Sequence, residues 1–341
     1  MKPPSQVRAF RLTLIADTGD RFSDFSPYVA SVNDAGMVAF QAKLRTGGSG
    51  VFTGDGGPVV TVAEPAGGAL ESVYSHPDMN RGGELSFYAG LKHGGQGVLL
   101  ARGGALVPIA SDSALFNGIG PLGPTMNDAG TVAFRASLRS GGAGVFTGAG
   151  GAVATVAETG GEFSGFHGLP VINRRGTVAF RADRSGGGQG IYAASGGPPA
   201  GVAETGDVFS DLGLFPVMDD EGTVAFAATL KEGGAGVFSA NARGIRPLVE
   251  ANGLFESFRG ALINCAGLVA FYATPRGGRL GVFSGPDPAA DRIICLGDPL
   301  WGSTVTDFAL NPVSVNEAAQ LAIRVSLAND RQAILRVDPV P

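Results

Sequence analysis

The 341-residue chain carries a formal net charge of −5 and 16% charged residues, with 56 glycines, where an average soluble domain has about 25% charged residues. No basic cluster offsets the acidic balance, which argues against nucleic acid as a partner. No apolar run approaches the roughly 18 residues of a spanning helix, so no membrane span is expected.

The start, Met1-Lys2-Pro3-Pro4-Ser5, lacks the apolar segment of a signal peptide, and a cytoplasmic location stays open on that ground. Phe10–Asp17 then reads as a strand. After it comes the phrase Val32-Asn33-Asp34-Ala35-Gly36-Met37-Val38-Ala39-Phe40, which returns with small changes beginning at Met79, Met126, Ile172, Met218, Ile263 and Val315. A period of about 46 residues over the whole chain marks a repeat architecture and outranks any local motif.

Each repeat reads as four short strands. In the first, strand A is expected at 27–32, strand B at 37–44, strand C at 51–53 and strand D at 58–63. Along strand B, Val38, Phe40, Ala42 and Leu44 alternate with Ala39, Gln41 and Lys43, the period of two of a strand with unlike faces. Four short antiparallel strands with frequent turns describe a propeller blade. The expected blades are 27–64, 74–111, 121–158, 168–204, 213–250, 258–297 and 308–337. The seventh lacks its outer strand, and 8–17 matches 58–64, so the N-terminus is predicted to complete that blade and close the ring. The expectation is an all-β, seven-bladed β-propeller forming a single domain over 1–341. Closure removes the exposed edges that a linear stack would leave.

The phrase resembles the bacterial tandem repeat Asn-x-x-Gly-x-x-Ala-Phe found in surface proteins with varied anchors. The resemblance covers nearly the whole chain; Ser86-Phe87, Ala322-Ile323 and Asp219 depart from it. It implies an exported, extracellular or cell-surface protein and carries no activity with it.

The Asn-x-x-Gly segment is read as a turn, since Asn or Asp can accept from its own backbone and Gly tolerates positive φ. The phenylalanines of strands B and C are read as core between blades. The paired aromatics Phe22/Phe25, Phe163/Phe166, Phe209/Leu212 and Phe255/Phe258, with Trp301, are expected to pack over the blade tops. At the ends of strand D, Glu64, Glu158, Glu204 and Glu250 form a charge ring on the top face, where the D–A and B–C loops meet. Arg45, Lys92, Arg139, Arg184, Lys231 and Arg276 of the B–C loops are expected to pair with it or to cap loop groups. The histidines, His76, His93 and His167, all fall in top-face loops. With Tyr28, Tyr74, Arg259 and Asn311, His76 and His167 mark the places where the repeats differ, and differences from a repeat are where one site can be built. No metal-ligand spacing occurs, so no metal or other cofactor is expected. Cys265 and Cys295 belong at opposite ends of blades, beyond the roughly 7 Å that a disulfide spans, and are expected to be free thiols.

These features point to a monomeric, non-catalytic binding propeller whose top funnel recognises a small polar ligand, a glycan or a protein. The alternative is a hydrolase or lyase on a saccharide or another polar substrate in the same funnel, with His76 or His167 as general base. A purely structural scaffold is a third class.

Overall fold

The alternation Val38-Ala39-Phe40-Gln41-Ala42 sends a large side chain to one face of each blade and a small one to the other. In the computed structural model of the chain the described residues are 10–340, apart from 20, 26, 28, 66, 67, 93, 113, 114 and 252. Ala39, Val51 and Ala63 of blade 1 pack against Leu70, Leu85 and Phe87 of blade 2. Phe22, Phe40 and Phe52, on the opposite face of blade 1, pack against Ile15, Ala322 and Ile334 of blade 7. The core is thus a set of layers between blades, large face on small face. Each buried phenylalanine removes enough apolar surface to stabilise the fold by roughly 1.5–3 kcal/mol.

Seven antiparallel sheets follow the order A-B-C-D. In blade 1 strand B (Val38–Leu44) lies between strand A and strand C (Ser49–Gly54), and strand D (Val60–Ala63) is outermost. In blade 7, strands B (Leu321–Leu327) and C (Gln332–Pro339) are followed by Phe10–Asp17 as strand D, with Leu14 opposite Leu335 and Asp17 opposite Ala333. The ring is closed as expected.

Strand A differs from its expected limits. In blade 1 it consists of two pieces, Phe22–Asp24 and Ser31–Val32, both paired with strand B. The same break recurs in blades 2, 3 and 5. Pro27, Pro77, Pro121, Pro124 and Pro216 lie in these gaps, where a residue without an N–H cannot continue the ladder. Blade 6 has no proline there, and its strand A runs unbroken from Phe255 to Ile263, whereas blade 4 keeps Phe163–Ile172 as one strand that takes up Pro170 in a register shift between His167 and Val171.

The paired aromatics are therefore not loop residues over the blade tops. They form the outer half of strand A and enter the core: Phe25 is fully buried, and Phe22 meets Phe52 edge-on at 4.9 Å. Trp301 is the exception, standing exposed beside the last connection. Among the described residues no helix is long and apolar enough to cross a membrane. Cys265 and Cys295 are free.

Candidate functional site

Where strand A breaks, ends or shifts register, its backbone carbonyls are open to the preceding blade. In four blades the residue after the strand B phenylalanine reaches across to such a carbonyl. Gln41 Nε2 donates to Val73 O at 3.5 Å, Arg135 to Gly168 O at 2.8 Å, Arg181 Nε to Leu212 O at 3.2 Å, and Tyr272 Oη to Leu310 O at 3.1 Å. Tyr88 and Arg324 occupy the same position in blades 2 and 7, and blade 5 carries Ala227. Arg324 turns instead to Asp307 of its own blade, 2.7 Å away.

Opposite these residues, strand A has an equivalent position in blades 2 to 7. Tyr74 pairs with Tyr88, Gly120 with Arg135, His167 with Arg181, Gly213 with Ala227 and Ala309 with Arg324. In blade 6 the residue paired with Tyr272 is Gly260, and Arg259 falls in the register shift just before it. Tyr74 and His167 thus stand among small residues in one layer, with Arg259 in the bulge beside it.

The structure places the expected site residues unevenly. Tyr74 and His167 share this layer, and Arg259 stands in the bulge beside it. Tyr74 packs on Tyr88 with the rings at 67°. His167 Nε2 lies 2.6 Å from Asp183 Oδ2, with both side chains partly open to solvent. Arg259 is exposed. His76 is instead inside the wall, 6% exposed, and its Nε2 is buried without a hydrogen-bond partner. Gly123 leaves the space this ring needs, since a Cβ there would come within 2.8 Å of Nε2. Burial pushes the imidazole down to about 4. Asn311 is directed into its own turn, with Oδ1 accepting from Val313 N at 3.0 Å and from the Ser314 hydroxyl at 3.0 Å. Tyr28 and His93 lie outside the described residues.

Glu64, Glu158, Glu204 and Glu250 stand at the top of strand D, the sheet edge farthest from strand A. Glu64 pairs with Arg21 at 2.9 Å and Glu204 with Arg184 at 2.5 Å. Glu158 takes a bond from Thr155 at 3.3 Å, and Glu250 is exposed. The basic set mostly caps loop carbonyls: Arg45 on Thr18, Lys231 on Gly206 and Arg276 on Gly253, all within 2.9 Å. Exposed pairs of this kind contribute about 0–1 kcal/mol.

Below the funnel the axis holds two cavities of about 150 and 160 Å³. Val32, Met79, Met126, Ile172 and Val315 line both. The upper is also lined by Asp78, which burial pushes up to about 7 although Met79 N and Met126 N both donate to it.

At the bottom, the Asn turns clasp one another. Asn33 Oδ1 accepts from Ala35 N and Met37 N, holding the turn that Gly36 completes at φ 77°. Its Nδ2 donates to Asn80 O of the next blade at 3.2 Å, and Asn127, Asn173, Asn264 and Asn316 repeat the bond. The residue after each Asn forms a second ring: Asp34, Arg81, Asp128, Arg174, Asp220, Cys265 and Glu317. Arg81 pairs with Asp34, and Arg174 with Asp128 and Asp220. Donor atoms of Asp220, Cys265 and Glu317 lie within 4.8 Å of one another. Hydrogen bonds between blades account for that cluster, Asp220 N donating to Cys265 Sγ and Cys265 N to Glu317.

Sequence reasoning missed Arg135, Arg181, Arg324 and Asp183. The available signal was the strand B position that changes from repeat to repeat directly after the phenylalanine, or after Ile323 in blade 7.

These features define a seven-bladed β-propeller with a polar, non-uniform top funnel. The chain belongs to a family of unknown function, DUF7453, whose profile matches residues 7–246. No curated protein matches it. It is similar to an oligogalacturonate lyase in complex with manganese, at 11% identity over 98% of each chain with a TM-score of 0.61. It is also similar to the β-propeller domain of the Trilobed protease from Pyrococcus furiosus. That match has 10% identity, covers 91% of this chain and 93% of the other, and has a TM-score of 0.59. An oligogalacturonate lyase from Vibrio parahaemolyticus aligns at 11% identity over 97% of this chain and 98% of its own, with a TM-score of 0.56. At such identities the likeness concerns the fold.

Proposed function

We propose that the protein is a non-catalytic binding propeller that recognises a polar ligand, a glycan in the first instance, on its top funnel. One observation carries this reading. On an otherwise repeated scaffold, Tyr74 and His167 occupy one strand A layer whose other paired positions are Gly120, Gly213, Gly260 and Ala309, and Arg259 stands in the bulge beside Gly260. Aromatic, imidazole and guanidinium groups separated by hollows suit a ligand with several hydroxyl or charged groups. Resemblance to Asn-x-x-Gly-x-x-Ala-Phe repeat proteins supports an extracellular or cell-surface location for a bacterial protein, acting as a monomer. The test is saccharide binding by the parent and by a Tyr74→Ala, His167→Ala, Arg259→Ala variant; unchanged binding by the variant defeats the reading.

A second reading, a hydrolase or lyase on a saccharide, is favoured by the His167–Asp183 pair, since a carboxylate fixes the orientation of an imidazole that could take a proton. The lyase likeness in fold is compatible with it. Chain cleavage that disappears in His167→Ala while binding persists would select this reading over the first.

A further inference from the structure

Three of the seven residues at this strand B position are arginines, and their charge partners differ. Arg324 is buried and has a carboxylate, Asp307, at 2.7 Å. Asp307 stands in strand A opposite Ser326. In blades 3 and 4 the aligned positions are Gly118, opposite Ser137, and Gly165, opposite Asp183. Arg135 and Arg181 therefore lack the acid that Arg324 has, and among the described residues neither has a carboxylate oxygen within 4.0 Å. Each is bonded to one carbonyl, Gly168 O and Leu212 O respectively. Arg181 is 4% exposed. A buried cation without an anion is costly, and a guanidinium forks onto a carboxylate with two parallel bonds.

Room exists where the missing acids would sit. A Cβ on Gly118 would meet nothing closer than Ser137 at 4.0 Å, and one on Gly165 nothing closer than Asp183 at 3.6 Å. Neither glycine has a positive φ, so conformation does not demand glycine there. Two acids lie nearby. Asp183 is bonded to His167, and exposed Asp211 of blade 5 adjoins Leu212.

We propose that the open position beside Gly165 and Arg181 is a subsite for the carboxylate of an acidic saccharide, which takes the place Asp307 holds at Arg324, and that Gly118 and Arg135 repeat it one blade earlier. His167 and Asp183 then face the adjoining hydroxyls. The proposal rests on the reading of the top funnel as the ligand face and narrows it to an acidic ligand.

The experiment titrates the full chain at neutral pH with D-glucuronate, D-glucose and inorganic sulfate separately, following arginine Nε–Hε resonances and the melting temperature. Glucuronate should shift the Arg135 and Arg181 signals and glucose should not. Arg181→Met should weaken glucuronate at least tenfold, and Arg181→Lys, which keeps charge but loses the fork, should weaken it too. Gly165→Asp should supply the acid internally, so its melting temperature should rise while glucuronate binding is lost. That rise should vanish when Arg181→Met is added. Equal response to glucose and glucuronate, no response to glucuronate, or sulfate binding as tightly as glucuronate each overturns the carboxylate subsite. A lower melting temperature in Gly165→Asp with binding retained overturns it as well. If neutral saccharides still depend on Tyr74, His167 and Arg259 in that case, the funnel reading survives and only its narrowing falls.

Discussion

Asn316 Nδ2 donates to Asn33 O at 2.8 Å, although the two residues are 283 apart in the chain. The bond joins the last blade to the first at the inner edge, while Phe10–Asp17 joins them at the outer edge through its pairing with strand C of blade 7. Thr13 Oγ1 adds a 2.6 Å bond to Asp338 there. Deleting residues 1–17 should therefore expose the edge of strand C, uncover Ala322 and Ile334, and lower the melting temperature strongly. A truncated chain that melts with the parent would contradict closure as a source of stability.

The Asn ring makes a sharper prediction about one irregular blade. Asp219 accepts the amide of Asn173 through its carbonyl and holds its own turn through Thr223 N at 2.8 Å. Its carboxylate has no N–H to pass on to Asn264. Asp219→Asn should supply that donor and stabilise the protein by about 0.5–1.5 kcal/mol, the net value of one hydrogen bond. Thermal melts in which this variant falls below the parent would show that the amide belt contributes nothing at that joint.

The core prediction concerns Phe134, which packs with Val98, Leu100 and Ile109 of the preceding blade. Phe134→Ala should cost roughly 3–5 kcal/mol through lost contact and a residual cavity. Denaturant titration measures this directly. Ligand affinity of the folded fraction should be unchanged, because Phe134 is buried away from the funnel wall.

Two buried groups in blade 2 should oppose each other as pH falls. The unfolded histidine takes up its proton near 6.5 and folded His76 only near 4. Its contribution is thus full above 6.5 and is lost as pH falls to about 4. Folded Asp78 keeps its proton up to about 7, whereas the unfolded carboxyl releases it near 3.8. Its contribution is present below 3.8 and is lost as pH rises through 7. Each slope amounts to on the order of 3 kcal/mol over its window. Asp78→Asn should unmask the histidine slope, losing stability between pH 6.5 and 4, and His76→Gln should show the reverse. Parallel pH profiles in the two variants would contradict their burial.

The repeat, the blade count and the closing strand were legible in the sequence because they are periodic, and periodicity survives without coordinates. Strand A starts earlier than expected because Phe22 and Phe255, which precede the expected blades, pair with strand B and enter the core. The preference for Asn over Asp was legible only in part: the turn needs the side-chain oxygen, which both supply, but the bond from Asn33 to Asn80 needs the amide of a neighbour 47 residues away. Alternation assigned Gln41 to a face of strand B without saying that the face opens onto a broken strand in the next blade. His76 and Asn311 looked like loop residues for the same reason: a variable position in a connection can point into the wall as readily as into solvent.

The most direct test of the account is binding to an array of neutral and acidic saccharides by three proteins: the parent, the Tyr74→Ala, His167→Ala, Arg259→Ala variant, and a bottom-face variant, Arg81→Ala, Arg174→Ala. The account predicts that the parent binds, that the funnel variant loses this binding while melting close to the parent, and that the bottom-face variant retains it. Binding kept by the funnel variant and lost by the bottom-face variant, or no saccharide bound by the parent, would contradict it.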